Sequence, residues 1–470
     1  MQLNSYIIMK SIDQFLTNSF EKRHAELPGN KDERIIKLRR DGIRFFMEIG
    51  FPVKEIEQWR DDPIDQRLDN EYQFQLSPDP YRPIKEIFRC KIHDIGTNMF
   101  SLLNGWYLHA NNPLTVMPNG MIIGSIFSAM ERYPDLVFPY LAKEKFHKNN
   151  TLTALNQAFF NDGLFIYIPD SLPIDQPIQL VNIIETEQKL WVQNRNLIIL
   201  GKDASLSFVH CNDSIQREKS FVNNVTEIFL EKGAQLNYCK MENKDADSFL
   251  VDNVFVHQKA DSKIISNAIT FNAGYVRNTF HINLNEPHAE VKLNGLYLVD
   301  KKQVVNNHVY VNHAAPDCTS SQLYKGILDD EAYAHFNGHI LVAKDSQRTT
   351  AFQTNRNITL TDEARITTNP FLEIYADNVQ CSHGATVGQL DEEAMFYLRS
   401  RGICERNARM LLMYAFANEV VSYVSITNLR NRLNELIKKR LRGELSLCDQ
   451  CVLHCSDRKD FSFEIDISKI

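Results

Sequence analysis

The sequence predicts a mainly β protein: a parallel β-helix (β-solenoid) core flanked by N-terminal and C-terminal helical regions. Three observations predict it. Helical periodicity gives way near Gly163 to a short apolar run, Leu164, Phe165, Ile166, Tyr167 and Ile168, closed by Pro169-Asp170. From there a polar turn followed at once by a short alternating strand recurs along the chain. Around Gly388 helical spacing returns and runs to Lys438-Lys439-Arg440, a basic end that suits a helix C-terminus. The expected divisions are residues 1–162, an N-terminal helical region; 163–388, the β-helix; 389–445, a C-terminal helical region; and 446–470, a cysteine-containing tail.

In the first region Ile35, Ile36, Leu38, Ile43, Phe46 and Ile49 recur at helical spacing between charged residues, and Gly50-Phe51-Pro52 supplies a stop. Residues 63–118 are mixed, with turn signals at Asn112-Pro113 and Pro118-Asn119-Gly120. Residues 125–158 read as helical pieces broken by Pro134 and Pro139.

The repeat consists of Lys202-Asp203-Ala204, Lys232-Gly233-Ala234, Lys259-Ala260-Asp261, Pro287-His288-Ala289, Asp330-Glu331-Ala332 and Asp362-Glu363-Ala364, spaced by roughly 26 to 32 residues with one longer interval. Behind the turns, Leu206, Phe208 and His210 share one strand face, as do Leu236 and Tyr238, Ile264 and Ser266, and Val291, Leu293 and Gly295. Strands this short bury a face only by sharing a core with neighbours, as stacked coils do. A β-sandwich is the competing architecture, and the lack of strict hairpin dipeptides between most strands favours the solenoid. In the tail, Asp391 and Glu392 open a helix carrying Ala394, Met395 and Leu398. Ala408, Leu411, Leu412, Tyr414, Ala415 and Val420 continue the stripe, and Leu429, Leu433, Leu436 and Ile437 add another. This apolar width implies a partner as well as the array.

Composition narrows the function. A content of 43% hydrophobic and 24% charged residues argues against disorder, and a net charge of -7 without a basic stripe argues against nucleic acid. No apolar stretch approaches the ~20 residues of a membrane helix, and residues 1–20 lack a signal-peptide layout. A cytoplasmic protein is expected. Nine scattered cysteines, an odd count, indicate reduced thiols rather than a disulfide framework.

The sequence contains no phosphate-binding glycine loop, no Gly-x-Ser-x-Gly elbow and no His-Glu-x-x-His helix. One short segment carries metal-ligand chemistry: Cys381-Ser382-His383-Gly384. On a strand, the period of two puts Cys381 and His383 on one face, where a thiolate and an imidazole reach one soft metal. Two ligands leave a four-coordinate site unfinished, so the rest must come from elsewhere in the chain or from a second chain. The alternative is a core cysteine beside a turn-capping histidine. His308, His313, His335 and His339, near Cys318, fit satisfied structural histidines. Cys448, Cys451 and Cys455, with His454 adjacent, have metal-ligand spacing but no second half-site.

Residues 307–402 resemble the SufB/SufD family of the SUF iron-sulfur cluster assembly system. The resemblance is carried by Asn307-His308, Asp317-Cys318-Thr319-Ser320-Ser321-Gln322-Leu323-Tyr324-Lys325-Gly326-Ile327, Phe336-Asn337-Gly338, Leu372-Glu373-Ile374-Tyr375-Ala376-Asp377, Cys381-Ser382-His383-Gly384-Ala385-Thr386-Val387-Gly388 and Phe396-Tyr397-Leu398-Arg399-Ser400-Arg401-Gly402. It weakens over residues 163–306, is faint before them, and transfers no role to the cysteine-rich end. SufB-type chains place a Glu after the motif His and a Cys upstream. Gly384 and Asn355 stand at those places here, so the chain looks like the SufD branch.

The resemblance implies a right-handed β-helix and a scaffold rather than an enzyme. It implies that His383, with Cys381 as an accessory, faces a SufB-like paralogue across an interface where a transient iron-sulfur cluster forms, none being bound permanently. It implies that residues 391–442 dock a SufC-like ATPase, and leaves self-pairing of the isolated chain open. Two other functions compete: a secreted-type β-helix polysaccharide lyase or hydrolase, and a free-standing metalloprotein using the terminal cysteines.

Overall fold

The computed structural model describes residues 11–54, 56, 59–60, 64–68, 71–83, 96–146, 150–214 and 219–442. Its helices are α1 (Ser11–Arg23), α2 (Glu33–Ile49), α3 (Ile126–Arg132), α4 (Pro134–Val137), α5 (Thr151–Phe159), α6 (Glu392–Ser400), α7 (Glu405–Val421) and α8 (Thr427–Leu441). Asp32 caps α2 by accepting from Arg34 N, and Gly50 ends it at φ 82°. Pro134 opens α4 at the position where a missing N–H costs nothing.

Between these helices the chain winds as a parallel β-solenoid whose strands alternate between two sheets. Sheet I contains Leu190–Leu200, Ser220–Leu230, Phe249–Gln258, Tyr275–Leu284, Val304–His313, Tyr333–Val342 and Arg365–Ile374. Sheet II contains Ile178–Ile184, Ser205–Ser214, Gln235–Asn243, Lys263–Asn272, Glu290–Val299, Thr319–Leu328, Thr349–Thr359 and Val379–Gly388. The coil strands are longer than the alternation implied, most having ten residues, because the inward positions change from apolar to polar midway. In Ser205–Ser214, Leu206 and Phe208 are followed inward by His210 and Asn212, all buried.

The turns explain the repeat and its one long interval. Asp203, Gly233, Asp261, His288, Asp317 and Arg348 all take positive φ, between 54° and 71°, in the corners that precede six successive sheet II strands, Ser205–Ser214 to Thr349–Thr359. Glycine adopts this conformation freely and aspartate tolerates it. Successive turns are hydrogen-bonded coil to coil: Asp203 N to Lys232 O (2.9 Å), Gly233 N to Ala260 O (2.9 Å), Asp317 N to Gln347 O (2.9 Å). The next residue is always small and sealed: Ala204, Ala234, Ser262, Ala289, Cys318 and Thr349 are at most 1% exposed. Cys318 is therefore a corner residue. Asp330 and Asp362 belong to the other corner, before the sheet I strands, so the long interval is a step from one column of turns to the other.

The array starts before Gly163, inside the segment expected to be helical. Asn98–Leu103 pairs in parallel with Ile178–Ile184, while Ile122–Ser125 pairs antiparallel with both Leu164–Ile168 and Leu114–Val116. The outer face of sheet I is packed by α1, α2 and α5 through Leu16, Phe46 and Phe159 against Trp191 and Phe221, and by α3 against Phe165 and Leu197. The outer face of sheet II is covered by α7 and α8, whose Ala417, Val420, Leu433 and Leu436 meet Val209, Met241, Ile269 and Leu296. Two cations pin these tail helices. Lys325 Nζ donates to Phe416 O at 3.1 Å and pairs with Glu419, and Arg440 bonds Phe271 O at 3.0 Å and Asp300 at 2.7 Å.

A sealed polar network runs inside the solenoid. Lys240 Nζ lies 2.9 Å from both Glu242 and Asp252, and all three side chains are 0% exposed. Asn212 bonds Asp252 at 3.2 Å and accepts from Asn224 at 3.0 Å, and Asn278 bonds Glu242 at 3.0 Å. His210 bonds Tyr238 Oη at 2.9 Å and Asn182 Nδ2 at 3.0 Å.

Burial lowers the pKa of His210 and of His313 to about 4. Unfolded, each titrates near ~6.5, so between there and about 4 the native state binds fewer protons than the unfolded chain. Stability from these groups is complete above that range and falls on acidification by at most ~1.4 kcal/mol per pH unit per histidine. The urea midpoint is expected to drop steadily from neutral pH to about 4.5, and more shallowly in His210→Gln, which keeps a hydrogen-bonding side chain. Equal slopes in the two proteins would contradict this.

Candidate functional site

The last strand of sheet II, Val379–Gly388, carries both predicted ligands and pairs on one side only, with Thr349–Thr359. Val379 and Cys381 pack against the solenoid's inner core, so the odd-numbered positions of this strand face inward. His383 shares that face. It sits over Gln353, which in turn bonds Gln322 Oε1 at 2.8 Å. Gln353 has room because Gly338 lies opposite: a Cβ there would come 1.9 Å from Gln353 Nε2.

In every earlier coil the position of His383 is sealed by the next coil. Here no further coil follows among the described residues, so an inward register leaves the imidazole exposed and the thiol half-buried. Burial pushes the Cys381 thiol up, opposed by the Ala351 backbone N–H. The structure therefore brings Cys381 and His383 onto one face at one end of the stack. Among the described residues no three His, Cys, Asp or Glu side chains stand assembled for a metal ion. This pair offers two donors where a tetrahedral ion takes four.

The two positions that set the branch are equally distinct. Gly384 has no atom within 4 Å of the place a Cβ would occupy, so space does not require glycine there. Asn355 is 0% exposed and committed: its Nδ2 donates to Tyr297 Oη and Tyr324 O, both at 3.2 Å, and its Oδ1 accepts from Asn357 at 2.7 Å. It is an interior strut, not a ligand.

The histidine group does not join the site. His313 is buried and bonded to Ser320 Oγ at 2.8 Å. His308, His335 and His339 face outward from sheet I, where His335 meets Asn369 at 3.2 Å and His339 meets Glu373 at 3.1 Å. Cys448, Cys451 and Cys455 lie outside the described residues.

Sequence reasoning missed the apolar surroundings of the open end. Phe352, Phe371, Ile374, Tyr375 and Val387 on the last strands are 39–60% exposed, and Phe396 and Tyr397 of α6 are 75% and 58% exposed. Helix α6 buries no residue, whereas α7 and α8 spend most of their apolar stripes on sheet II. Ile374, Tyr375, Val387, Phe396 and Tyr397 stand within the motif segments quoted above, Phe352 and Phe371 outside them; only the end of the stack makes them surface. Unpaired strand edges with exposed rings are a pairing template unless covered. No helix among the described residues is long and apolar enough to cross a membrane.

Comparison with known proteins shows what the chain is similar to. The family profile described as SUF system FeS cluster assembly, SufBD core domain, matches residues 182–416, and the SufBD protein N-terminal region matches residues 9–180. An iron-sulfur cluster assembly SufBD family protein of Synechocystis is 27% identical over 432 residues, covering 89% of this chain and 94% of that protein. The iron-sulfur cluster assembly protein SufD of Escherichia coli is 30% identical over 273 residues, covering 57% and 64% respectively. The SufD of Bacillus subtilis is 27% identical over 328 residues, covering 69% and 74%.

Of the thiols on the surface layers, Cys404 is exposed and Cys381 half-buried with a raised pKa. At neutral pH iodoacetamide is expected to label Cys404 well before Cys381 in the isolated chain, with the Cys381 rate still climbing at alkaline pH. Peptide mass spectrometry of a time course checks the order, and equal labelling would show that the strand does not shelter the thiol.

Proposed function

The chain belongs to the SufB/SufD family of SUF iron-sulfur cluster assembly proteins and is SufD-like, and from that premise we propose that it is a non-catalytic scaffold subunit of an ATP-driven assembly complex. One observation carries the reading. The solenoid is closed by strands and helices at its start, but among the described residues nothing pairs with the outer edges of its last two strands, and His383 and Cys381 lie on the inward face of the last one. A second solenoid, that of a SufB-like paralogue, covers such an end and contributes the donors that the half-site lacks. The iron-sulfur cluster is transient cargo shared by the two chains. In isolation the same end lets two copies of this chain pair.

The C-terminal helical region, residues 389–445, docks a SufC-like ATPase. Its α7 and α8 are committed to sheet II, so among the described residues the most exposed apolar surface of this region is that of α6, with Phe396 and Tyr397. Nucleotide-driven movement of that partner then reaches the open end through the short connection from Gly388 to Asp391. The setting is cytoplasmic. The lyase reading has no observation in its favour: the interior acids Glu242 and Asp252 are sealed, and the outer face of sheet II is covered.

In the intact complex with SufB-like and SufC-like partners, His383→Ala is expected to lower cluster loading several-fold, read by visible absorbance and iron content. Loading that survives unchanged would remove the role assigned to His383. Separately, Phe396→Ser is expected to reduce co-purification of the SufC-like ATPase while leaving far-UV circular dichroism and SufB-like pairing intact. Undiminished ATPase recovery would place its docking surface elsewhere.

A further inference from the structure

The open end leaves one strand edge ready to pair. Val379–Gly388 bonds Thr349–Thr359 on one side, and among the described residues nothing bonds its other side. The neighbouring edge, that of Arg365–Ile374, is blunted. Arg365 N and Tyr375 N donate to Ala332 O and Val342 O, so the odd-numbered N–H groups of that strand point into the sheet and the even-numbered ones point out. Pro370 falls among the latter and has no N–H to offer a further strand. Val379–Gly388 contains no proline, so its outer row of N–H and C=O groups is a template for one more strand.

The two faces of that edge differ. On the inward face His383, Ala385 and Val387 are exposed, and so is Ile374 across the interior. On the outward face Gln380, Ser382, Gly384, Thr386 and Gly388 carry no charge, and no atom lies within 4 Å of where a Cβ of Gly384 or Gly388 would stand. One strand further in, Arg356 is the register partner of Thr386; it is exposed and has no ion-pair partner among the described residues. A strand that completes this end needs an apolar side turned inward, and acidic residues suit its other side.

The chain itself carries a segment of this pattern. Residues 461–468, outside the described residues, read Phe461-Ser462-Phe463-Glu464-Ile465-Asp466-Ile467-Ser468, apolar and polar in strict alternation with two carboxylates on the polar side. Such alternation is the signature of a half-buried strand. The tether is long enough. Helix α8 ends at Leu441, where Arg440 ties it to Phe271 O and Asp300. From the coil of Asp300, four strand spacings, roughly 19 Å in all, lead to the position beyond Val379–Gly388. Residues 443–460 span up to roughly 60 Å when extended, and so short a tether holds the segment at an effective concentration on the order of millimolar. We propose that residues 461–468 dock on the free edge of Val379–Gly388 as an added strand. Phe461, Phe463, Ile465 and Ile467 then cover the inward face at His383, Ala385 and Val387, and Glu464 and Asp466 lie on the side of Arg356. The solenoid is capped by its own C-terminus, and a chain that docks at this end has to displace the cap. That last consequence rests on the scaffold reading; the docking of the segment does not.

Amide hydrogen exchange of the full-length chain, read by peptide mass spectrometry at several protein concentrations, tests the docking. The expected result is slow exchange over both 461–468 and 379–388, independent of concentration. The double variant Phe463→Asp/Ile465→Asp, in the full-length chain, is expected to speed exchange in both segments by about tenfold or more with far-UV circular dichroism unchanged. In the same variant iodoacetamide is expected to label Cys381 about fivefold faster. Exchange of 461–468 at the rate of a free peptide would overturn the proposal, and so would a double variant in which 379–388 and Cys381 behave as in the unsubstituted chain. Protection that grows with protein concentration assigns the edge to a second copy and equally overturns it. Should the double variant fail to fold, the exchange of the unsubstituted chain decides the matter by the same criteria. Cluster loading enters none of these readouts, so failure of the cap and failure of the scaffold reading are told apart.

Discussion

Everything in this molecule depends on the coil-to-coil ladder of parallel backbone hydrogen bonds. Each strand from Ile178–Ile184 onward satisfies its N–H and C=O groups only through the strands before and after it in the same sheet. No coil is complete by itself, and the stack must stop somewhere. At the start it is stopped by antiparallel pairing and by helices over sheet I. At the other end it is not stopped within the described residues, and the last coil presents unpaired edges, exposed rings and an inward-facing imidazole with no described coil beyond it. The candidate site is a consequence of where the ladder ends.

The same ladder permits an interior that a conventional core would not tolerate. Lys240 and Glu242 lie on a sheet II strand and Asp252 on the sheet I strand that follows it in the chain, across the interior, and amide side chains link them to the coils on either side. Such a network is satisfied only when the coils are stacked in register, so it opposes a slip of one strand against the next. The apolar half of each strand drives burial, and the polar half specifies which register is buried. The outer faces divide the labour similarly. Sheet II is covered by the tail helices, clamped by Lys325 and Arg440. Sheet I is covered in part by N-terminal helices and in part carries the ordered row of His257, His281, Tyr310 and His339.

For a family that assembles iron-sulfur clusters, an incomplete ligand set at an open end is functionally coherent. A cluster that must be handed on is better held by donors from two chains than by a closed cage in one, because separating the chains removes half of the coordination. Under the proposed pairing, the buried Asn355 would be this chain's interior strut and the open space around Gly384 would leave an uncluttered face for the partner.

Local chemistry made much of this legible in the sequence. The left-handed turn followed by a small residue repeats as Asp203-Ala204, Gly233-Ala234 and His288-Ala289, helical spacing marks the flanking regions, and the period of two put Cys381 and His383 on one face. These signals depend on residues a few positions apart, where propensity and side-chain alternation act directly. The tertiary structure alone decided that the turns form two columns, that Cys318 is a corner residue, that Lys240 meets Asp252, and that Glu144 stands over His257 and His281. Those contacts follow from inter-coil register, which joins residues far apart in the chain. The exposure of His383 is of the same kind: the sequence specified its direction, and the absence of a following coil among the described residues specified its surroundings.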